Sequence, residues 1–310
     1  MKSSCEVFAL YFSSSTFKIE DFYATIIINI VFNIFLSYTA IMLNIVTIDT
    51  IRKAPSLPKT LKTLLLSLAV SDVGVGSLIQ PFYISLLVKG LQEDNHVCST
   101  YKAFDVMVVL FSTASFCGVV AISVDRFLAI HLHLRYQELV THKRVVVVVI
   151  LMWHISAFFS SMAFWLPQST RSLFVCIVSM TGLLVTTLVY FRIYLAVRRH
   201  KNQIHVLQVQ NVAQTGEIAN FASFIKSAVG SFYVYLVFLV CYLPIFICFA
   251  AIAIYGSNIA FNRLLLFSGT LLFLNSSLNP VIYCWKMRHI RYAVMDILRN
   301  MSWYRICESP

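Results

Sequence analysis

Long apolar runs alternate with short charged segments along the whole chain. Seven such runs occupy residues 22–48, 61–88, 101–130, 144–166, 173–197, 228–255 and 263–285. Each is about as long as the roughly 20 residues that a helix needs to cross the hydrocarbon core of a membrane. A segment in lipid must satisfy its own backbone hydrogen bonds, which excludes isolated strands. The pattern predicts an all-α membrane protein, a seven-transmembrane-helix bundle whose spans we number in chain order.

Composition and charge agree with a membrane protein. Hydrophobic residues make up 59% and charged residues 12% of the 310 residues, whereas soluble domains carry roughly 25% charged residues. With the N-terminus outside, 18 of the 24 Lys and Arg residues fall on the cytoplasmic side, as the positive-inside rule requires. These basic residues are scattered over four segments and accompany no recognition module, so no nucleic-acid partner is expected.

Three regions follow from this pattern. Residues 1–21 are predicted to be an extracellular N-terminus that does not resemble a cleaved signal peptide, and residues 22–285 form the transmembrane domain. Residues 286–310 are predicted to hold a short amphipathic C-terminal helix on the inner leaflet, followed by a cytoplasmic tail. The longest connection between spans, residues 198–224, is the predicted mobile segment.

Polar residues inside the spans form several short motifs. Asp125 and Arg126 end span three, Cys241 to Pro244 read CYLP in span six, and span seven contains Asn279, Pro280 and Tyr283 in NPVIY. In order and spacing these motifs resemble the rhodopsin-like (class A) family of G-protein-coupled receptors. Trp153 and Tyr190 match the family's span-four tryptophan and span-five tyrosine. Phe127 stands where the family usually has Tyr, and Tyr242 where it has Trp.

The resemblance implies a plasma-membrane receptor that binds an extracellular ligand and activates a heterotrimeric G protein. The residues themselves suggest how. Arg126 keeps its charge and needs an anion, and adjacent Asp125 is the nearest. Pro244 and Pro280 remove backbone hydrogen bonds and provide hinges. Outward movement of span six is expected to free Arg126 toward two tyrosines, so the predicted switch comprises Asp125, Arg126, Tyr190, Asn279, Pro280 and Tyr283. The predicted hinge and toggle of span six comprises Phe238, Tyr242 and Pro244.

A second polar group lies deeper in the spans: Asp72, Ser115, Asn275, Ser276 and Asn279. The matching positions in the family form a pocket for a sodium ion, which acts as a negative modulator and needs oxygen ligands of this type. Hydrogen bonding between helices is the alternative interpretation. No other cofactor is expected.

Three residues are predicted to contact the ligand. Asp105, Val108 and Tyr242 are the candidate contacts. Asp105 suggests either a cationic ligand or a local pair with Lys102, three residues earlier. Span seven lacks the lysine to which opsins attach retinal, so light sensing is not expected.

The family's usual disulfide is not expected in this chain. The second outer loop, PQSTRS at residues 167–172, contains no cysteine, and Cys98 is left to pair with Cys5, Cys176 or nothing. This absence, the short loop and Gly182 in place of a proline resemble the melanocortin, lysophospholipid, cannabinoid and adenosine-like branch.

Further expectations concern activity, signalling and modification. No arrangement of residues indicates an enzyme. An ion channel or transporter lined by Asp72, or a seven-helix protein that does not signal, remains the alternative. Many family members restrain the matching arginine with an acid on span six, where this chain has Phe224 and Lys226. The lack of that acid predicts raised signalling without ligand.

Cys284 and Cys307 lie where palmitoylation is expected.

Overall fold

The structure is a computed structural model that describes residues 20–54, 57–92, 97–132, 135–209, 215–256 and 258–286, together with Arg291 and Met295. Within that part of the chain, seven helices are long and apolar enough to cross a membrane. This confirms the predicted seven-helix bundle. The predicted amphipathic helix after residue 286 lies outside the described residues, apart from two isolated positions.

The helix bounds are as follows. Helix one is Glu20–Lys53; helix two runs as Lys59–Gly74, a π turn Val75–Ile79 and Gln80–Leu91; helix three is Val97–Leu132; helix four is His142–Ser161 with a final 3-10 turn Met162–Phe164; helix five is Gln168–Val209; helix six is Thr215–Tyr255; helix seven is Ile259–Lys286. A short helix, Tyr136–Leu139, lies between helices three and four and is called the loop helix.

The described residues of segment 198–224 are helical, since helix five continues to Val209 and helix six begins at Thr215. The mobility of this segment stays a prediction. One expectation about a connection is wrong. The predicted loop 167–172 is mostly the first turn of helix five. The Arg171 amide donates to the Pro167 carbonyl at 3.1 Å, so the helix starts directly after the proline, where a missing N–H does no harm. Only residues 165–167 connect helices four and five.

Helix three is the central element of the bundle. It packs against helices two, four, five and six, while helix seven packs against helices one and six. We call the end of the bundle that holds Asp125 and Arg126 the Arg126 end. The opposite end, where helix three begins, is the Asp105 end.

Pro81 follows the π turn of helix two and lacks an amide N–H. The carbonyl of Gly76, five residues earlier in the π turn, accepts a hydrogen bond from the Ser37 hydroxyl of helix one at 2.7 Å. A Cβ at residue 76 would stand 3.1 Å from the Ser37 carbonyl oxygen. Glycine therefore allows the close approach through which helix one satisfies a carbonyl of helix two.

Candidate functional site

Asp125 and Arg126 form a buried ion pair at the end of helix three. Their exposed fractions are 4% and 2%. The Arg126 Nε donates to Asp125 Oδ2 at 3.0 Å, and its Nη2 donates to the same oxygen. A buried arginine requires such a partner because it stays protonated. The structure thus brings together the two residues at the centre of the predicted switch.

Tyr136 of the loop helix holds the other oxygen of this carboxylate. Its hydroxyl donates to Asp125 Oδ1 at 2.7 Å and lies 3.3 Å from the Thr60 hydroxyl of helix two. Burial, reinforced by the negative charge of Asp125, raises the pKa of Tyr136 to about 12. The phenol therefore remains a donor at physiological pH. Sequence reasoning missed Tyr136, because nothing in the pattern showed that the segment after helix three folds back onto it.

Ser227 joins Arg126 to helix six. The Arg126 Nη1 donates to the Ser227 hydroxyl at 2.9 Å. In place of an acid at this end of helix six the sequence has Phe224 and Lys226, whose side chains lie outside the described part. The contact instead comes from a neutral hydroxyl next to them. Among the residues whose side chains the structure describes, Arg126 is joined to helix six by a hydrogen bond and not by a second ion pair.

The two tyrosines of the predicted switch are buried at the same end but do not bind Arg126. The Tyr190 hydroxyl accepts from the Ser123 hydroxyl at 3.0 Å, and its ring stacks on Tyr235 with centroids 5.1 Å apart. The Tyr283 hydroxyl has no hydrogen-bond partner among the described residues. The Arg126 guanidinium is instead held by Asp125 and Ser227.

Between the predicted switch and the Asp105 end, an aromatic column connects helices three, five and six. The rings of Phe238 and Tyr242 stack with centroids 3.9 Å apart, and Phe116 of helix three lies 5.7 Å from Phe238. Phe116 also packs onto Gly182 of helix five so closely that a Cβ at residue 182 would overlap its ring. Pro244 lies within helix six, half a turn beyond Tyr242. The predicted hinge and toggle residues are thus adjacent.

The polar residues of the candidate sodium site lie buried on helices two, three and seven. Asn279 Nδ2 donates to Asp72 Oδ2 at 2.8 Å, and the hydroxyls of Ser115 and Ser71 are 3.0 Å apart. Ser276 is also buried, and its carbonyl accepts from Asn44 Nδ2 of helix one at 2.9 Å. Three side-chain oxygens of this candidate site have no hydrogen-bond partner among the described residues: Asp72 Oδ1, Asn275 Oδ1 and Asn279 Oδ1.

Asp105, a candidate ligand contact, forms an ion pair with Arg171 of helix five. The alternative pairing with Lys102 is wrong: the Lys102 ammonium lies 5.1 Å from the centre of the Phe164 ring. Sequence reasoning missed Arg171 because it placed this residue in a loop. Val108 is half-buried one turn beyond Asp105, and Tyr242 is buried.

Helices six and seven also meet through an aromatic cluster near the Arg126 end. The Lys286 ammonium lies 3.9 Å from the ring centre of Tyr233 on helix six and 3.5 Å from that of its neighbour Trp285. The two rings are 5.4 Å apart. A cation against aromatic faces is attracted to them, so Lys286 links the end of helix seven to the middle of helix six.

The free thiols narrow the choice of partners for Cys98. Cys176 is a free thiol, so the pairing of Cys98 with Cys176 is not formed. Cys5 and the side chain of Cys98 lie outside the described residues, as does Cys307. Cys284 is a half-buried free thiol at the end of helix seven.

Comparisons with known proteins agree with this architecture. Residues 43–182 match the family described as 7 transmembrane receptor (rhodopsin family). The histamine H2 receptor of Canis lupus familiaris is 30% identical over 261 residues, covering 76% of this chain and 69% of the relative. The adenosine receptor A3 of the same species is 25% identical over 304 residues, covering 89% and 91%.

Human melanocortin receptor 3 is 25% identical over 276 residues, with 85% of this chain and 83% of the relative covered. All three relatives are receptors, and proteins of this kind are not enzymes. Two of them belong to the melanocortin and adenosine groups that the sequence resembled. The chain therefore belongs to the rhodopsin family of seven-transmembrane receptors, the class A G-protein-coupled receptors of the plasma membrane.

Proposed function

We propose that this receptor binds an extracellular ligand at the Asp105 end and activates a heterotrimeric G protein through outward movement of helix six at the Arg126 end. One observation supports this most directly: Arg126 is held at the same time by Asp125 of helix three and Ser227 of helix six. Helix six cannot move away from helix three without breaking the contact with Ser227.

The proposed switch has two states. In the first, Asp125 and Ser227 hold Arg126, and Tyr136 holds Asp125. In the second, helix six bends outward at Pro244, Ser227 leaves, and the guanidinium turns toward the hydroxyls of Tyr190 and Tyr283. Asn279 and Pro280 shape helix seven next to Tyr283. A cavity then opens for the G protein at the Arg126 end.

The proposed relay from ligand to switch is the aromatic column. Val108 and Tyr242 are proposed ligand contacts at the side of the column that faces the Asp105 end. Tyr242 stacks directly on Phe238. Because Phe238 also touches Phe116 of helix three, a shift of Tyr242 changes how helices three and six pack. Only a ligand that binds the second state more tightly than the first drives this change.

The proposed orientation places the Arg126 end in the cytoplasm and the N-terminus outside. It is supported by the 18 of 24 basic residues that then lie on the cytoplasmic side. An epitope tag at the N-terminus should be accessible to antibody in intact cells, and a tag at the C-terminus only after permeabilisation. The reverse result would contradict this orientation.

We also propose that the Asp72 group binds a sodium ion that favours the inactive state. The donor set fits, because one buried carboxylate and the amide oxygens of Asn275 and Asn279 present acceptors without hydrogen-bond donors, and hard cations prefer oxygen ligands. Ser115 and Ser276 are further candidates. Sodium chloride should raise the melting temperature of the purified receptor above that in choline chloride, and Asp72→Asn should abolish the difference. An equal difference in the variant would exclude Asp72 as a ligand.

The proposed coupling can be tested before any ligand is known. Engineered G-protein fragments of each major class are recruited in cells that express the wild type, Arg126→Ala or the control Arg52→Ala, at matched surface levels. Arg52 is an exposed arginine at the end of helix one. We expect one class to be recruited by the wild type and the control and to be lost in Arg126→Ala. Recruitment that is unchanged in Arg126→Ala would contradict the role of Arg126. No recruitment of any class would leave two interpretations, a receptor that signals only with bound ligand or a seven-helix protein that does not signal through a G protein.

A further inference from the structure

The ion pair of Asp105 and Arg171 crosses the Asp105 end of the bundle from helix three to helix five. Arg171 is 2% exposed, and its side chain lies one turn after Pro167. Among residues whose side chains the structure describes, Asp105 is the one acid at this end of the bundle. The pair therefore joins a buried cation to the carboxylate that a cationic ligand would need.

We infer that Arg171 is a built-in counter-ion that closes Asp105 to cationic ligands and thereby determines ligand class. A ligand ammonium or guanidinium would have to take the place of a buried guanidinium whose Nη2 already contacts Asp105 Oδ2. The wild-type receptor accordingly accepts a ligand without a required cation. This inference rests on the proposed ligand position at the Asp105 end.

The same pair fixes the start of helix five. The connection between helices four and five spans only residues 165–167, and residues 167–172 contain no cysteine for a bridge to helix three. Next to the pair, the Ser160 hydroxyl of helix four donates to the Val106 carbonyl of helix three at 2.7 Å. Helices three, four and five are thus tied within one turn of Asp105 by polar contacts. Removing Arg171 should both loosen this region and expose the carboxylate.

Lys102 does not replace Arg171 in this role. It lies on the same helix as Asp105, its side chain is exposed, and its ammonium is placed over the Phe164 ring. A cation three residues away on one helix gives only a weak, solvent-screened pair. Arg171 belongs to another helix and is buried. Removing its side chain therefore leaves a cavity next to Asp105 with the shape of that side chain.

Chemical rescue tests the inference. Arg171→Ala retains the Cβ, and ethylguanidinium supplies the missing atoms of the arginine side chain. We expect 10 mM ethylguanidinium to raise the melting temperature of purified Arg171→Ala by several degrees. It should not change that of the wild type, the double variant Asp105→Asn/Arg171→Ala or the control Arg263→Ala. Arg263 is an exposed arginine at the same end of the bundle. No stabilisation of Arg171→Ala, or equal stabilisation of the double variant, would overturn the inference.

A second variant covers the case in which Arg171→Ala does not fold. The exchanged pair Asp105→Arg/Arg171→Asp should reach the cell surface at a level within twofold of the wild type, while each single charge reversal falls at least fivefold. A double variant no better than the single ones would overturn the inference. The melting temperature and the surface level do not depend on G-protein coupling. They therefore test the ion pair even if the proposed signalling mechanism is wrong.

Discussion

At the scale of single residues, the Arg126 end depends on hydroxyl groups that complete an ion pair. Asp125 alone occupies only part of the Arg126 guanidinium, and Tyr136 and Ser227 supply the remaining contacts to the pair. Buried ion pairs add little to stability unless such further hydrogen bonds satisfy both partners. We therefore include the loop helix and helix six in the proposed switch.

Replacing Tyr136 by Phe should destabilise the receptor without ligand. The change removes the donor to Asp125 Oδ1 and leaves the ring in place. A hydrogen bond to a charged group is worth about 1.5–3 kcal/mol, so we expect a loss of about that size, measured as a lower midpoint of thermal or chemical unfolding. Tyr194→Phe, at an exposed tyrosine of helix five, is the control and should change little. Equal effects of the two variants would show that the Tyr136 hydroxyl has no special role.

At the scale of elements, close packing of rings and glycines sets how the helices meet. Gly182 in helix five stands where the family commonly has proline, and the structure shows what the change allows. The ring of Phe116 takes up the space next to the glycine, and it touches Phe238 on helix six as well. Helix five, helix three and helix six are fitted together at this point.

Gly182→Ala should disturb this fit. Its methyl group would overlap the Phe116 ring, and overpacking of this kind costs about 1–3 kcal/mol. We expect a lower melting temperature, largely restored in the double variant Gly182→Ala/Phe116→Leu. The control is Gly118→Ala on helix three, where the new Cβ would lie 3.5 Å from its nearest neighbour and fit without strain. If both alanine variants melt alike, the packing of Phe116 on Gly182 does not hold the helices.

We expect the cation and rings that link helices six and seven to act as a second restraint on helix six. Lys286→Met should raise ligand-free nucleotide exchange severalfold, because a cation and an aromatic face attract each other by about 0.5–2 kcal/mol. Lys286→Arg and Tyr233→Phe keep the cation and the ring, and both should signal as the wild type does. Tyr233→Leu should behave as Lys286→Met. Unchanged exchange in Lys286→Met would mean that this cluster does not restrain helix six.

At the scale of the whole molecule, the sequence alone predicted the seven helices and their order, because spans of apolar residues follow from the thickness of the membrane. It also identified Asp125, Arg126 and Asp72 as costly polar residues in the spans. It did not predict Tyr136, Ser227 or Arg171. These residues matter only through contacts with other helices, and neither hydropathy nor motif spacing records which side chains meet across a bundle. Helix ends were also missed, since polar residues at a helix end resemble a loop.

The central claim is that a contact between Arg126 and helix six restrains the inactive state. The most direct test is ligand-free nucleotide exchange on purified G protein by receptor in lipid nanodiscs, comparing the wild type, Ser227→Asp, Ser227→Ala and the control Ser77→Ala, an exposed serine of helix two. An aspartate offers Arg126 a charged acceptor, and charge-assisted hydrogen bonds are about twice as strong as neutral ones. We predict slower exchange for Ser227→Asp, faster exchange for Ser227→Ala and no change for the control. Faster exchange in Ser227→Asp, or equal rates in all four proteins, would contradict the claim.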